Sequence, residues 1–190
     1  MLEYEKKVLL TEDEYAVLAD QCRGISVESQ TNYYFDTDDF YMNRKGITCR
    51  IRAKNRRYKT TIKNHTAGGL HCSMEVELWE GTEYNSKFYE ALGLCFQGEL
   101  VTKRIILYKD AFCEAVLDRN TYLGYMDYEI EVEYVQGCED SALDYLKSVA
   151  NCLVAANLVD SVDSFLLRVG KGNSKSERFF KRKRLERRRM

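Results

Sequence analysis

Residues 126–135 constrain the fold more than any other stretch. Glu129, Glu131 and Glu133 alternate there with Tyr128, Ile130, Val132 and Tyr134. Side chains of an extended strand point alternately to opposite faces, so the carboxylates share one face and the apolar groups the other. The apolar face must be covered. The acidic face cannot enter a dry core, because burying an unpaired carboxylate is far too costly. Such a strand belongs to a sheet with one covered face and one wet face.

The pattern recurs along the chain. At the start, Glu3, Glu5 and Lys7 oppose Tyr4, Lys6 and Val8. Over 47–53, Thr48, Arg50 and Arg52 oppose Ile47, Cys49, Ile51 and Ala53. Across a turn at 55–57, Lys59, Thr61 and Lys63 oppose Tyr58, Thr60 and Ile62. Residues 74–78 put Glu75 and Glu77 on one face, and 111–117 oppose Glu114, Val116 and Asp118 to Cys113, Ala115 and Leu117. Residues 100–109 carry Lys103 and Arg104 on opposite faces, and 29–35 are rich in β-forming side chains. Turns are expected at 36–39 and 120–124, and a loop at 65–70 around Gly68-Gly69. The segment 40–45 is short and ambiguous, and Gly46 breaks it.

Helices are expected between these strands. Thr11 and Glu14 form a capping box for a helix to about residue 22, with Tyr15, Leu18, Ala19 and Cys22 on its apolar face and Gly24 at its end. Asn85 can cap a second helix to about residue 95. A long amphipathic helix over 140–157 and a shorter one over 161–169 follow. The count is eight strands and three or four helices, mostly joined in sequence by short connections, so the sheet is largely antiparallel. Its charged face either meets bulk water or closes around a wet lumen, and closure also removes exposed edges.

Charge is divided unevenly. The net charge is −1, yet residues 175–190 hold nine basic and two acidic side chains, so the rest of the chain carries −8. The basic end reads either as a helix for nucleic acid or an acidic partner, or as a segment that packs Phe179 and Phe180 and otherwise stays solvated. The seven cysteines, at 22, 49, 72, 95, 113, 138 and 152, show no Cys-x-x-Cys spacing and read as reduced thiols. With only His65 and His71, a zinc site is not expected. No apolar run approaches the ~20 residues of a membrane span, and an acidic third residue does not suit a signal peptide. A cytoplasmic protein without a membrane partner is expected.

Carboxylates two apart on a strand can converge on a hard divalent cation such as Mg²⁺ or Mn²⁺. Rows of Arg and Lys suit phosphate oxygens. A single lumen with both points to a metal-bound polyphosphate. The plain alternative for each row is cross-strand ion pairing on a solvated face.

Glu3-x-Glu5-x-Lys7 resembles the ExExK signature of the CYTH superfamily, the triphosphate tunnel metalloenzymes. Later elements arrive in that family's order: Arg50-x-Arg52, Lys59 to Lys63, Glu75-x-Glu77, Lys103-Arg104, Asp118, Glu129-x-Glu131-x-Glu133 and Ser174-Lys175. Residues 31–36 and 127–131 are similar to small bacterial members, and the resemblance covers about residues 1–180, with 181–190 as a basic tail. It implies an α+β fold: an eight-stranded antiparallel β-barrel tunnel with a charged lumen and helices packed outside. It also implies roles. Glu3, Glu5, Glu129 and Glu131 would bind the metal, Mg²⁺ or Mn²⁺. Lys7, Arg50, Arg52, Lys59, Lys63, Arg104 and Lys175 would bind triphosphate. Lys175, Glu131 and Glu133 would take the catalytic positions, near the phosphate or the attacking water. Glu75, Glu77 and Asp118 would serve as a second line.

The expected reaction is metal-dependent hydrolysis of a terminal phosphoanhydride, with inorganic triphosphate as substrate. The resemblance also covers thiamine triphosphatases, nucleoside or RNA triphosphatases and class IV adenylyl cyclases. A non-catalytic polyphosphate or nucleotide sensor is a reading from a different class. A small-molecule triphosphate is the expected partner; nucleic acid is not expected, although the basic end leaves it open, and the chain is expected to be a monomer or homodimer.

Overall fold

A computed structural model of the chain describes residues 2–21, 26–65 and 72–188. The expectations for Cys22, Gly24, His71 and most of the 65–70 loop lie outside the described residues. The elements run β1 (Leu2–Leu10), α1 (Glu12–Gln21), β2 (Val27–Asp36), α2 (Tyr41–Arg44), β3 (Ile47–Lys54), β4 (Arg57–Asn64) and β5 (Cys72–Gly81). Then come α3 (Lys87–Ala91), β6 (Cys95–Lys109), β7 (Cys113–Tyr122), β8 (Tyr125–Tyr134), α4 (Glu139–Ala155), α5 (Val162–Leu166) and α6 (Lys175–Arg187). The eight strands close into a barrel in the order β1-β5-β4-β3-β2-β6-β7-β8, every pair antiparallel. Closure leaves the alternating charged face inside. Among the described residues no helix is long and apolar enough to cross a membrane.

Sequence boundaries move where local chemistry and tertiary pairing disagree. Residue 95 does not end a helix: α3 stops at Ala91, Gly93 takes a φ of 72°, and Cys95 already pairs in β6. Gly98, at φ 138°, sits in a bulge opposite the Tyr34/Phe35 register shift. A Cβ at Gly98 would stand 2.9 Å from the ring of Phe179, so that position also admits a close approach. Asn120 is not a turn residue. It pairs within β7, and the β7–β8 turn is Leu123-Gly124, with φ of 48° and 68° as two-residue hairpins require. Asn55-Arg56 makes the equivalent turn between β3 and β4. The Thr11–Glu14 capping box holds, with Glu14 N donating to Thr11 Oγ1 at 3.2 Å and Thr11 N donating to Glu14 Oε2 at 2.8 Å.

The main core lies outside the barrel. Leu146, Val149, Ala150 and Leu153 of α4 pack with Leu18 of α1 and Phe165 of α5 on Val8, Leu117, Ile130 and Val132 of β1, β7 and β8. Each such buried side chain stabilises the fold by roughly 1.5–3 kcal/mol. A second cluster puts Tyr89 of α3 on Phe35, Cys49 and Ile51. A third closes one end of the barrel: Phe179 and Phe180 of α6 pack on Tyr34, Phe40, Leu100 and Tyr122. The lumen is therefore a cup, closed by α6 and open where the β3–β4 hairpin and the start of β1 lie.

Candidate active site in the barrel lumen

The lumen holds a cavity of about 60 Å³ that opens to solvent at the mouth. Its lining brings together Glu3, Glu5, Lys7, Arg50, Arg52, Lys63, Arg104, Glu131, Glu133 and Lys175, all expected from the sequence. Their distribution follows strand order. The acids come from β1 and β8, with Asp118 of β7 behind them. The arginine pair and Lys63 come from β3 and β4. Since β3 and β8 are four places apart in an eight-strand ring, an acidic wall faces a basic wall.

The acidic wall is partly neutralised from within. Lys7 Nζ lies 2.7 Å from Glu5 and 3.6 Å from Glu131. Arg104 grips Asp118 through Nε at 2.8 Å and a terminal nitrogen at 2.6 Å, and reaches Glu131 at 2.9 Å. Lys175, delivered by the first turn of α6, contacts Asp118 at 2.9 Å, Glu129 at 2.5 Å and Glu131 at 2.9 Å. Burial opposes charge on Glu131, yet Lys175, Lys7 and Arg104 outweigh it and hold its carboxyl well below the usual range. Burial likewise opposes charge on Lys175, but Asp118, Glu129 and Glu131 prevail and keep it protonated.

Glu133 differs. Its side chain keeps an exposed face, yet desolvation by the lumen wall, then Glu131 and Glu5, push its carboxyl up, and among the described residues no Lys or Arg lies within 4.0 Å of it. Glu5, Glu131 and Glu133 can each place a carboxylate oxygen within 4.8 Å of the others. This is a crowded, incompletely compensated oxygen set, and it fits a hard divalent cation. Asp118, Glu129 and Glu131 form a second such group, but its oxygens already hold Lys175.

The basic wall has the opposite deficit. Arg50 pairs with Glu75 at 2.6 Å, and Lys63 with Glu3 at 2.8 Å. Burial works against charge on Glu75, but Arg50 and Arg52 prevail and bring its carboxyl down to about 2. Arg52 has no carboxylate within 4.0 Å among the described residues. It donates from Nε to Asn32 Oδ1 at 3.0 Å, and burial, followed by Arg50, lowers its pKa to about 10.

Other expected positions stand elsewhere. Asp118 and Glu129 are fully buried behind the cavity, and Glu129 also accepts from Asn120 at 2.9 Å and Arg178 at 3.0 Å. Lys59 and Glu77 lie outside the cavity, paired at 2.9 Å and half exposed at the open mouth. Lys103, on the face opposite Arg104, points outward and is exposed.

Sequence reasoning missed the neutral lining: Gln30, Tyr34, Thr48, His65, Ser174 and Ser176. Thr48 was in phase with Arg50, and Gln30 and Tyr34 share one face of β2, so periodicity held a signal for those. It also missed Arg178, which ties α6 to Asp127 at 2.7 Å as well as to Glu129. Another capping box, Ser174 with Glu177, marks where that helix begins.

A closed antiparallel barrel with carboxylates on one wall of its lumen and arginine and lysine on the other defines a class of protein. A family model described as the CYTH domain matches residues 1–140. The chain is 31% identical over 147 residues to YjbK of Bacillus subtilis, provisionally named a triphosphatase, covering 70% of this chain and 77% of that one. A Bacillus halodurans protein provisionally named an adenylate cyclase superposes with a TM-score of 0.66 at 25% identity, covering 94% of this chain and 97% of that chain. HpAC1 from Hippeastrum, provisionally named an adenylyl cyclase and credited with a dominant triphosphatase activity, shares the fold at a TM-score of 0.55 and 16% identity, over 78% and 87% of the two chains. The chain belongs to the CYTH family.

Proposed function

We propose that the protein is a metal-dependent triphosphatase that hydrolyses the terminal phosphoanhydride of inorganic triphosphate inside the lumen. The observation that carries this reading is the pair of uncompensated charges on opposite walls. Glu133, exposed towards the mouth, crowds Glu131 and Glu5 and calls for a cation; Arg52 is half-buried without a carboxylate among the described residues and calls for an anion. A metal-bound polyphosphate satisfies both. The provisional name of YjbK points the same way.

In this reading Glu5, Glu131 and Glu133 hold Mg²⁺ or Mn²⁺. Glu3 and Glu129, also expected from the sequence, stay in reserve as ligands: Glu129 contacts Lys175, Arg178 and Asn120, and Glu3 pairs with Lys63. When bound, the metal offsets phosphate charge and acidifies a bound water. Arg50, Arg52 and Lys63 hold the phosphate chain in line along the opposite wall and stabilise the transition state's charge. Lys175 stays protonated, so it acts as a fixed cation that orders the acidic wall and not as a base. Attack of water on the terminal phosphorus forms one P–O bond, breaks the bridging P–O bond, and leaves orthophosphate and pyrophosphate. The lining is polar, and the Tyr34 ring is packed against Phe179 at 4.8 Å, which favours an inorganic substrate over a stacked base.

The test is product analysis with tripolyphosphate, ATP and thiamine triphosphate, each with Mg²⁺, Mn²⁺ or EDTA. Metal-dependent orthophosphate release, fastest from tripolyphosphate, is the expected result. Cyclic AMP from ATP with no phosphate from tripolyphosphate would establish a cyclase. Tight tripolyphosphate binding without any turnover would establish a sensor.

A further inference from the structure

Strand β2 places hydrogen-bonding groups beside the arginine pair that nothing among the described residues satisfies. Tyr34 is fully buried, lines the cavity, and its hydroxyl has no hydrogen-bond partner among the described residues. It stands in register with Arg50 across the β2–β3 ladder. Asn32, one step along the same face and in register with Arg52, is also fully buried, with Nδ2 unpartnered. An unsatisfied buried polar group costs about 1–3 kcal/mol, so two in one row need a reason. Packing fixes the Tyr34 ring: Phe179 and Phe180 lie with centroids 4.8 and 5.8 Å away. Burial raises the phenol's pKa despite the nearby cations, so it remains a neutral donor.

The same end of the lumen receives the N-terminus of α6. Ser176 Oγ, also buried, lies 2.7 Å from Thr48 Oγ1, and Thr48 Oγ1 lies 3.0 Å from His65 Nε2. The Ser174–Glu177 capping box occupies the helix end itself, and the buried hydroxyls of Ser176 and Thr48 stand beside it on the lumen side with Arg50.

We propose that Tyr34 Oη, Ser176 Oγ and Arg50 form a subsite at the closed end of the lumen for the free terminal phosphoryl group of a linear polyphosphate. The chain end enters first, and any ester group stays at the mouth. This rests on the lumen being the triphosphate site. A terminal phosphoryl group offers three non-bridging oxygens, enough to accept from phenol, hydroxyl and guanidinium together. A ring of phosphates has no such end.

The probes are therefore tripolyphosphate and cyclic trimetaphosphate, titrated calorimetrically in EDTA against the full chain. Wild type should prefer the linear ligand at least tenfold. Tyr34→Phe, which keeps the ring, and Ser176→Ala should each shrink that preference about fivefold or more while leaving trimetaphosphate affinity unchanged. Arg52→Gln should weaken both ligands. Unchanged preference in Tyr34→Phe and Ser176→Ala, with Arg52→Gln still weakening both, would overturn the subsite and keep the lumen. Full tripolyphosphate affinity in Arg52→Gln would overturn the lumen reading itself. Thermal melting of each variant reports folding, and Ser176→Ala carries the test if Tyr34→Phe does not fold.

Discussion

His65 shows how a lumen side chain ties stability to pH. Burial, then the positive charge of Lys63, lowers its pKa to about 4. In an unfolded chain a histidine protonates near 6.5. Between those values the unfolded chain binds a proton that the folded chain excludes, so stability falls as pH drops from 6.5 towards 4 and is fully present above 6.5. The size is about 3 kcal/mol at most, from 1.36 kcal/mol per pH unit. Urea midpoints measured from pH 7 to 4.5 should fall less steeply for His65→Gln than for wild type; parallel curves would contradict the assignment. His65 also marks a limit of sequence reading. Arg50-x-Arg52 and Glu129-x-Glu131-x-Glu133 were legible because charge alternating with apolar residues fits little besides a strand with one wet face. A lone histidine, a tyrosine in an aromatic run or a serine has no such signature. Its role depends on neighbours such as Ser176, which lies 128 positions from Thr48.

Helix α6 joins the chain's basic end to the site. Arg178 pairs with Asp127 and Glu129, Arg184 donates to Asn43 at 2.8 Å, and Arg187 reaches the backbone of Asp38. Arg182 stacks over Tyr125 at 4.2 Å and Arg187 over Phe40 at 4.4 Å. Much of what looked like a nucleic-acid surface is thus spent holding a plug. The composition could not show this, because the acceptors lie far from α6 in sequence, on α2, β8 and the turn after β2. Phe180→Ala removes a ring that is 1% exposed among Tyr34, Phe40 and Phe179. It should cost about 3–5 kcal/mol in denaturant melts and reduce turnover further, since Lys175 and Ser176 belong to the same helix. A loss below about 1 kcal/mol would mean that α6 does not seal the barrel as described. Strand ends were the weakest part of the sequence reading for a related reason: Gly98 and Asn120 look like breakers locally, but close approach of Phe179 and the Asn120 bonds to Thr102, Asp127 and Glu129 override them.

At the scale of the molecule, closing the sheet turns alternation into function. Eight strands with one charged face become a cup, and their order separates acid from base across its width. Charges that could not be buried singly are buried together because each wall is partly compensated, and the deficit each wall keeps lies nearer the open mouth, at Glu133 and Arg52. The division of labour can be read in one pair of measurements on wild type and Glu131→Gln: tripolyphosphate binding in EDTA, and phosphate release with Mg²⁺. Removing the Glu131 charge should cut turnover at least a hundredfold while tripolyphosphate binding stays equal or tightens, because Lys7, Arg104 and Lys175 are then less neutralised. Turnover that survives in Glu131→Gln, or binding that vanishes with it, would contradict a lumen in which one wall holds metal and the other holds phosphate.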